Sequence, residues 1–580
     1  MNVVKVYNFG PQSGCMAEIL EEKKNKNIGY EPILDGIPDW PVYQLSKNRK
    51  EFLEEVTQKA IEQIRLLRPS RKQLIDELET TVHREQNRIK RNRWRVDPKD
   101  EPKFWSRIKN ELIEISNKTP EEAGKKEEEI LHEIVHRYAS EIAGNFKASS
   151  YKFAREAIKF WFVRLLNGAR VKKFGAYFRN QYTLRDKIHI VGKVKMLRAL
   201  AKKGTVVMVP THFSNLDSIL IGWVIHSLGL PAFLYGAGLN LFNIKIFAYF
   251  MNSLGAYKVD RRKKNLPYLE TLKMYSNLAL QKGAHSLFFP GGTRSRSGMI
   301  EKQLKLGLLS TAIEAQRNLY LEGGEEPRKI FVVPVTLNYH FVLEAPELIE
   351  DYLQVKGQDR YFAEQDNYGS FQLVKFLFKF FTKGSNISVS IGPGLDVMGN
   401  PVDEEGNSLD AQGRVLNPRE YFMTNGQVTV DKQRENEYTR LLSSKIVSEY
   451  HRINRIFASH LVAFVAFEML MKKHPNLDLF GFLRLPEEEM EIPYVEFRAA
   501  VKKVRKEIYR MKDDGKVFYA THLKGEIDLI IRRGLENVGT FHLKRPLLKN
   551  KKGNIVTQDL NVLYYYHNRL VGYELEKLIG

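Results

Sequence analysis

Residues 205–217, Thr205-Val206-Val207-Met208-Val209-Pro210-Thr211-His212-Phe213-Ser214-Asn215-Leu216-Asp217, run from an apolar, β-branched stretch into a polar one. The first five read as a buried strand, and Pro210 ends it. A histidine and an aspartate five positions apart at a strand end can fold back on each other. The carboxylate then holds one imidazole nitrogen while the other faces a cleft, which is the arrangement of a general base. The same residues also suit a plain helix start, with Ser214, Asn215 or Asp217 as the N-cap and His212 packed.

Outward from this strand, Ser286-Leu287-Phe288-Phe289 and residues 330–337 and 387–391 carry the same β-rich texture. The gaps between them are long enough for helices, so residues 187–394 predict an α/β sheet layer. Residues 218–244 hold no formal charge if His226 is neutral, a length that could cross a bilayer. Their glycines, Pro231, Asn240 and Asn243 favour a buried or interfacial helix–turn–helix over a single span. Upstream, residues 47–145 are highly charged, with Phe52, Val56, Ile61, Ile64 and Leu67 at helical spacings and Pro69, Pro98, Pro102 and Pro120 as punctuation. Downstream, 392–425 reads as turns, 435–473 as helix, and 490–580 as charged helices with Val562-Leu563-Tyr564-Tyr565-Tyr566 as a strand or buried segment. The division expected is a helical region (1–149), an α/β core (150–400) and a helical, mixed α+β region (401–580).

His132-Glu133-Ile134-Val135-His136 matches H-E-x-x-H, which puts two histidines on one helix face to hold zinc. No third ligand is evident, and Ile130, Leu131, Ile134 and Val135 form the stripe of an ordinary amphipathic helix. No metal site is expected.

The chain has 580 residues, 43% of them hydrophobic and 28% charged, which excludes global disorder. A single cysteine, Cys15, excludes an internal disulfide and any multi-cysteine metal cluster, and points to a reduced, intracellular setting. Residues 1–15 lack the charged start and apolar run of a secretory signal. The 91 Lys and Arg against 69 Asp and Glu give +22, a charge that suits nucleic acid, an anionic membrane, an acidic carrier or a phosphorylated substrate.

Three further segments carry chemistry. Gly255-Ala256-Tyr257-Lys258-Val259-Asp260-Arg261-Arg262-Lys263-Lys264 clusters cations suited to a phosphate, or to a solvated basic loop. Phe288-Phe289-Pro290-Gly291-Gly292-Thr293-Arg294-Ser295-Arg296-Ser297-Gly298 ends a strand in a turn rich in N–H donors and cations, an anion pocket or a plain turn. Val332-Val333-Pro334-Val335-Thr336-Leu337-Asn338-Tyr339 is an apolar strand broken by a proline, which alone predicts an edge or bulge.

In this order the four segments resemble the glycerolipid acyltransferase superfamily, whose blocks run His-x4-Asp, Gly-x3-[Ile/Val]-x-Arg, Phe-Pro-Glu-Gly-Thr-Arg-Ser and Val-Pro-Val. The stretches 458–466 and 563–570, and the helical N-terminal region, are similar to the glycerol-3-phosphate and dihydroxyacetone-phosphate acyltransferase branch. The resemblance implies a mixed sheet flanked by helices. It also implies transfer of a fatty acyl group from a thioester, acyl-CoA or acyl carrier protein, to a hydroxyl of glycerol 3-phosphate in phospholipid synthesis, with no cofactor. His212 would be the base and Asp217 its support. Arg261, Gly292, Thr293, Arg294, Ser295 and Arg296 would bind the acceptor phosphate, Pro334 would shape the cleft wall, and apolar residues after Asp217 could line an acyl groove.

Gly291 stands where the family carries a carboxylate. Residues 150–173 and 371–383 interleave apolar and basic residues, so peripheral association with the cytoplasmic, anionic face of a membrane is expected. The alternatives are a 1-acyl-glycerol-3-phosphate acceptor, a non-catalytic lipid scaffold, or a nucleic-acid binder using residues 261–264 and 502–506. No recognisable nucleic-acid module is present, and no nucleic-acid partner is expected.

Overall fold

The computed structural model describes residues 30–115, 119–157, 188–239, 251, 255–324, 326–357, 387–540 and 542–579. Both basic-aromatic segments, beyond residue 157 in the first case, lie outside them.

The strands β1 (Ile188–Gly192), β2 (Gly204–Pro210), β3 (Leu234–Gly238), β4 (Ala256–Val259), β5 (Ser286–Leu287), β6 (Lys329–Tyr339) and β7 (Ile387–Ile391) form one sheet in the order β1-β7-β6-β2-β5-β3-β4. The five from β6 to β4 run parallel, while β7 and its parallel neighbour β1 run against them. The sheet is mixed, as the sequence implied. The period of two sends Val206 and Met208 to one face, packed with Phe464 and Tyr566, and Val207 and Val209 to the other with Leu309, Ile313 and Tyr450. Covering both faces is why β2 is apolar at consecutive positions.

Pro334 lies in central strand β6 beside Val209, and its carbonyl accepts from the Gly392 N–H at 2.8 Å. Partner strand β7 ends at Ile391, and pairing resumes only where Leu395 bridges Val332. The missing N–H thus falls at a break in the partner ladder, which is how an interior strand tolerates proline.

The helices α1 (Pro41–Lys47), α2 (Arg49–Leu67), α3 (Arg71–Arg91), α4 (Glu101–Ile115) and α5 (Pro120–Ile142) form the N-terminal layer. Ser70 and Thr119, each beside one of the punctuating prolines, close capping boxes with Gln73 and Glu122. Ile130, Leu131, Ile134 and Val135 are buried, whereas the His132 and His136 rings stack near the surface and His132 meets Glu54 at 3.2 Å. Among the described residues no group of three or more His, Cys, Asp or Glu side chains is placed to hold a metal.

In the core, α6 (Val194–Lys203) joins β1 to β2, α7 (Asp217–Ser227) follows β2, and α8 (Leu266–Gln281) packs against α2, α5 and α9 (Leu306–Glu322). After α10 (Ala345–Gly357) come α11 (Lys432–Ile453), α12 (Ala458–Lys473), α13 (Tyr494–Asp513), α14 (Ile527–Asn537) and α15 (Leu560–His567). Residues 458–467 of α12 are all buried because α13, α14 and α15 surround that helix.

Two expectations need correction. Residues 218–239 are not two helices: α7 is followed by strand β3, paired with β5 at Leu234 and Tyr235 and with β4 from Tyr235 to Gly238, and a Cβ at Gly236 would meet the Tyr257 hydroxyl at 2.8 Å. The 562–566 run is buried but helical, with Asp559 capping α15. No helix among the described residues is long and apolar enough to cross a membrane.

A buried charge lattice joins the N-terminal layer to the core. Arg88 contacts Glu85 (2.8 Å), Asp97 (3.2 Å) and Glu101, and Lys263 contacts Glu101 (3.5 Å) and Glu141. Burial opposes the charge on Arg88, but the three carboxylates outweigh it and hold the guanidinium protonated. Arg88→Ala is expected to lower the unfolding free energy by about 3–5 kcal/mol, because acids remain buried without their partner. Denaturant titration reads this, and an unchanged midpoint would contradict the lattice. A second check uses His285, whose Nδ1 accepts from Val206 N–H and which burial pushes down to about 4. Below the ordinary histidine value the unfolded chain binds a proton that the folded chain refuses, so stability falls as pH drops from about 6.5 towards 4. His285→Gln should remove about 1.4 kcal/mol per pH unit of that slope, measured as the difference between the two proteins' unfolding free energies at pH 6.5 and 5.

Candidate active site

Asp217, at the first turn of α7, is fully buried, and four donors converge on its carboxylate. Oδ2 accepts from His212 Nδ1 (2.8 Å), Phe213 N–H (2.6 Å) and Ser214 N–H (2.9 Å), and Oδ1 accepts from the Tyr339 hydroxyl at the end of β6. Burial, then the Asp217 charge, pushes the Tyr339 phenol far above its ordinary value, so it remains a donor. Since a carboxylate only accepts, Nδ1 of His212 carries the proton and Nε2 the lone pair. The ring stacks on Phe289 at 4.1 Å and is partly exposed. The helix-start reading fails here: Leu216 is the N-cap and no side chain caps the helix, because the Asp217 carboxylate in its first turn is taken by the turn amides, Tyr339 and His212.

The backbone of His212 is gripped from the loop after β5. Its carbonyl accepts from Ser295 N–H at 2.7 Å, and its N–H donates to Glu301 Oε1 at 3.2 Å. Lys305 N–H to Pro290 O (2.7 Å) closes this loop at its base, and Gly292 turns it with φ of +81°. Gly291, Thr293, Arg294, Ser295 and Arg296 are half-buried along it. The Arg294 guanidinium stands 3.7 Å from Glu344, whose carboxylate also accepts from Ser214 Oγ (3.1 Å) and Asn215 N–H (2.9 Å). Burial pushes Glu344 upward and Arg294 opposes it. Glu301, with a buried carboxylate, is pushed up to about 7, chiefly by burial.

The basic run after β4 divides. Arg262 is taken by Asp260 (2.7 Å), Asp97 and the face of Trp94 (4.0 Å), and Lys263 by Glu101 and Glu141. These two hold the N-terminal helices and are not phosphate ligands. Arg261 is exposed, and its charge bears on Tyr235, which packs edge-on against Phe289. Thus His212, Arg261 and residues 291–296 all follow the carboxyl ends of parallel strands β2, β4 and β5, the end of an open α/β sheet where ligands bind. Pro334 is buried in β6 behind the His212 turn.

The C-terminal region backs the site. Arg569 lies 4.1 Å over the Phe213 ring and donates to Leu337 O (2.7 Å) and Asn338 Oδ1 (2.6 Å). Asn568 donates to Ser297 O at 2.9 Å, and a Cβ on Gly298 would strike Tyr565 O at 2.2 Å. Tyr339, Glu344, Glu301 and Arg569 were assigned no role from sequence. Arg569 lies within the 563–570 stretch that carries the resemblance, Tyr339 ends the strand run that includes Pro334, and Glu344 is an acid immediately before the Ala345-Pro346 start of α10.

A partly exposed imidazole with a held Nδ1 and an available Nε2 can take a proton from a hydroxyl, and guanidinium groups on the loops at the same end of the sheet can meet an anion. Residues 191–338 match the acyltransferase family model, so this segment is an acyltransferase-family domain. The chain is similar to proteins named glycerol-3-phosphate acyltransferase. It is 27% identical to one from Pseudoalteromonas atlantica over 227 residues, 39% of this chain and 24% of that one. It is 29% identical to one from Aeromonas hydrophila over 211 residues (36% and 23%), and 27% to one from Pseudomonas fluorescens over 209 residues (36% and 22%). The match spans about a quarter of the length of these curated relatives.

Tyr339→Phe removes one donor from a buried carboxylate and is expected to lower the unfolding free energy by about 1.5–3 kcal/mol. Chemical denaturation measures it, and wild-type stability in the variant would contradict the four-donor arrangement.

Proposed function

We propose, from the acyltransferase domain at residues 191–338, that this protein transfers a fatty acyl group from a thioester to a hydroxyl of glycerol 3-phosphate. The observation that carries this reading is the His212 Nδ1 contact with the four-donor carboxylate of Asp217, at the carboxyl end of the parallel strands, where the loop after β5 also presents Arg294. Nε2 takes the acceptor hydroxyl proton as the oxygen attacks the thioester carbonyl, and Asp217 stabilises the imidazolium that forms. The tetrahedral adduct collapses to an ester, and the C–S bond breaks. The departing thiolate receives the proton back from His212, so no acyl-enzyme is needed.

Arg261 and Arg294 meet the acceptor phosphate, with Gly292, Thr293, Ser295 and Arg296 supplying backbone and side-chain donors around it. When phosphate arrives, Arg294 exchanges part of its attraction to Glu344 for a doubly charged partner. The enzyme works on the cytoplasmic face of a membrane as a peripheral protein. The +22 charge and a product that partitions into lipid both support that placement and a role in phospholipid synthesis.

The decisive assay offers the purified protein glycerol 3-phosphate and 1-acyl-glycerol 3-phosphate, each with acyl-CoA and with acyl carrier protein. Transfer to glycerol 3-phosphate is expected, and transfer only to the lysolipid would overturn the acceptor assignment. His212→Ala should lower kcat by a factor on the order of 10² to 10⁴ or more with an unchanged circular dichroism spectrum. Retained turnover would refute the base.

A further inference from the structure

We propose that Glu301 stands in for the side chain that Gly291 lacks, supplying from ten residues downstream the carboxylate that holds the His212 amide. The inference deepens the acyltransferase reading and rests on it for the part that concerns turnover.

Three observations converge. A Cβ built on Gly291 would lie 3.0 Å from both Cγ and Oε1 of Glu301 and 3.4 Å from its carboxyl carbon, so the Glu301 side chain fills the space into which a residue at 291 would project. Gly291 is not among the glycines with positive φ, so its backbone accepts an ordinary side chain, and the three heavy atoms nearest to a Cβ there all belong to Glu301. The same Oε1 accepts the His212 N–H, and among the described residues Oε2 is buried without a hydrogen-bond partner. A carboxylate is thus present where the third block comes nearest to His212, although the block itself carries none. Burying it with one amide donor is costly unless it has a task.

Its surroundings fix what that task is. Charge reaches Glu301 from Arg569 on the C-terminal side and Asp217 on the catalytic side, while Tyr450 on α11 covers the same region and donates to Val209 O at 2.8 Å. Glu301 makes no contact with the His212 ring that the structure records. It acts on the base through the backbone, as a positioning residue: with Ser295 on the carbonyl and Glu301 on the amide, the His212 peptide is held at both ends by one loop.

The reciprocal substitution tests this. Glu301→Gln keeps an acceptor oxygen and should hold kcat within about three-fold. Glu301→Ala should lower kcat at least ten-fold while KM for the acceptor changes less than two-fold. Gly291→Glu alone should lower both melting temperature and kcat, since two side chains then compete for one space. Gly291→Glu combined with Glu301→Ala should melt above Gly291→Glu alone and recover most of the kcat lost in Glu301→Ala. Melting shifts that simply add would overturn the shared space. A double variant that is stable, yet no more active than Glu301→Ala, would overturn the positioning role. Melting needs no turnover, so the steric claim is tested even if the wild-type protein transfers no acyl group. That last result would count against the functional reading alone.

Discussion

The Asp217 carboxylate is the point on which the molecule closes. Its donors come from a turn after β2, from the end of β6 and from the imidazole it holds. Each would be an unsatisfied buried polar group without it, at about 1–3 kcal/mol apiece. One acid therefore holds the turn after β2, ties that turn to the end of β6 and fixes the tautomer of a base. Catalytic geometry here follows from the hydrogen bonds that hold the strand end together.

The regions before and after the sheet reach this centre by different means. The N-terminal helices dock through charge, with Arg262 and Lys263 reaching back to Asp97, Glu101 and Glu141 from just beyond Arg261. The C-terminal region docks through shape and backbone, with Tyr565 against Gly298, Asn568 on Ser297 and Arg569 beneath Phe213. The first places the loop carrying Arg261, and the second fixes the loop carrying Arg294.

The sheet's core strands were legible because β2 and β6 are rich in Val, Ile and Thr and β7 alternates Ile or Val with Ser, and 387–391 was read to the residue. Strand β3 was not, since Gly236 looks like a turn residue until the Tyr257 side chain that needs its bareness is in place. His212 and Asp217 were legible because they lie five residues apart. Glu301, Tyr339 and Glu344 reach the site across sequence separations of 89, 122 and 129 residues, so only folding reveals them. The basic run after β4 could not be divided from sequence for the same reason: the acids that claim Arg262 and Lys263 lie largely in distant helices.

The central claim is that Asp217 turns His212 into a base by fixing its tautomer and stabilising its cation. Asp217→Asn keeps the volume and one acceptor oxygen but loses the charge. Steady-state acyl transfer by this variant, with its fold checked by circular dichroism, is the most direct measurement. The account predicts a fall in kcat on the order of 10² to 10⁴, with KM for the acceptor little changed. Turnover within a few-fold of wild type would contradict it.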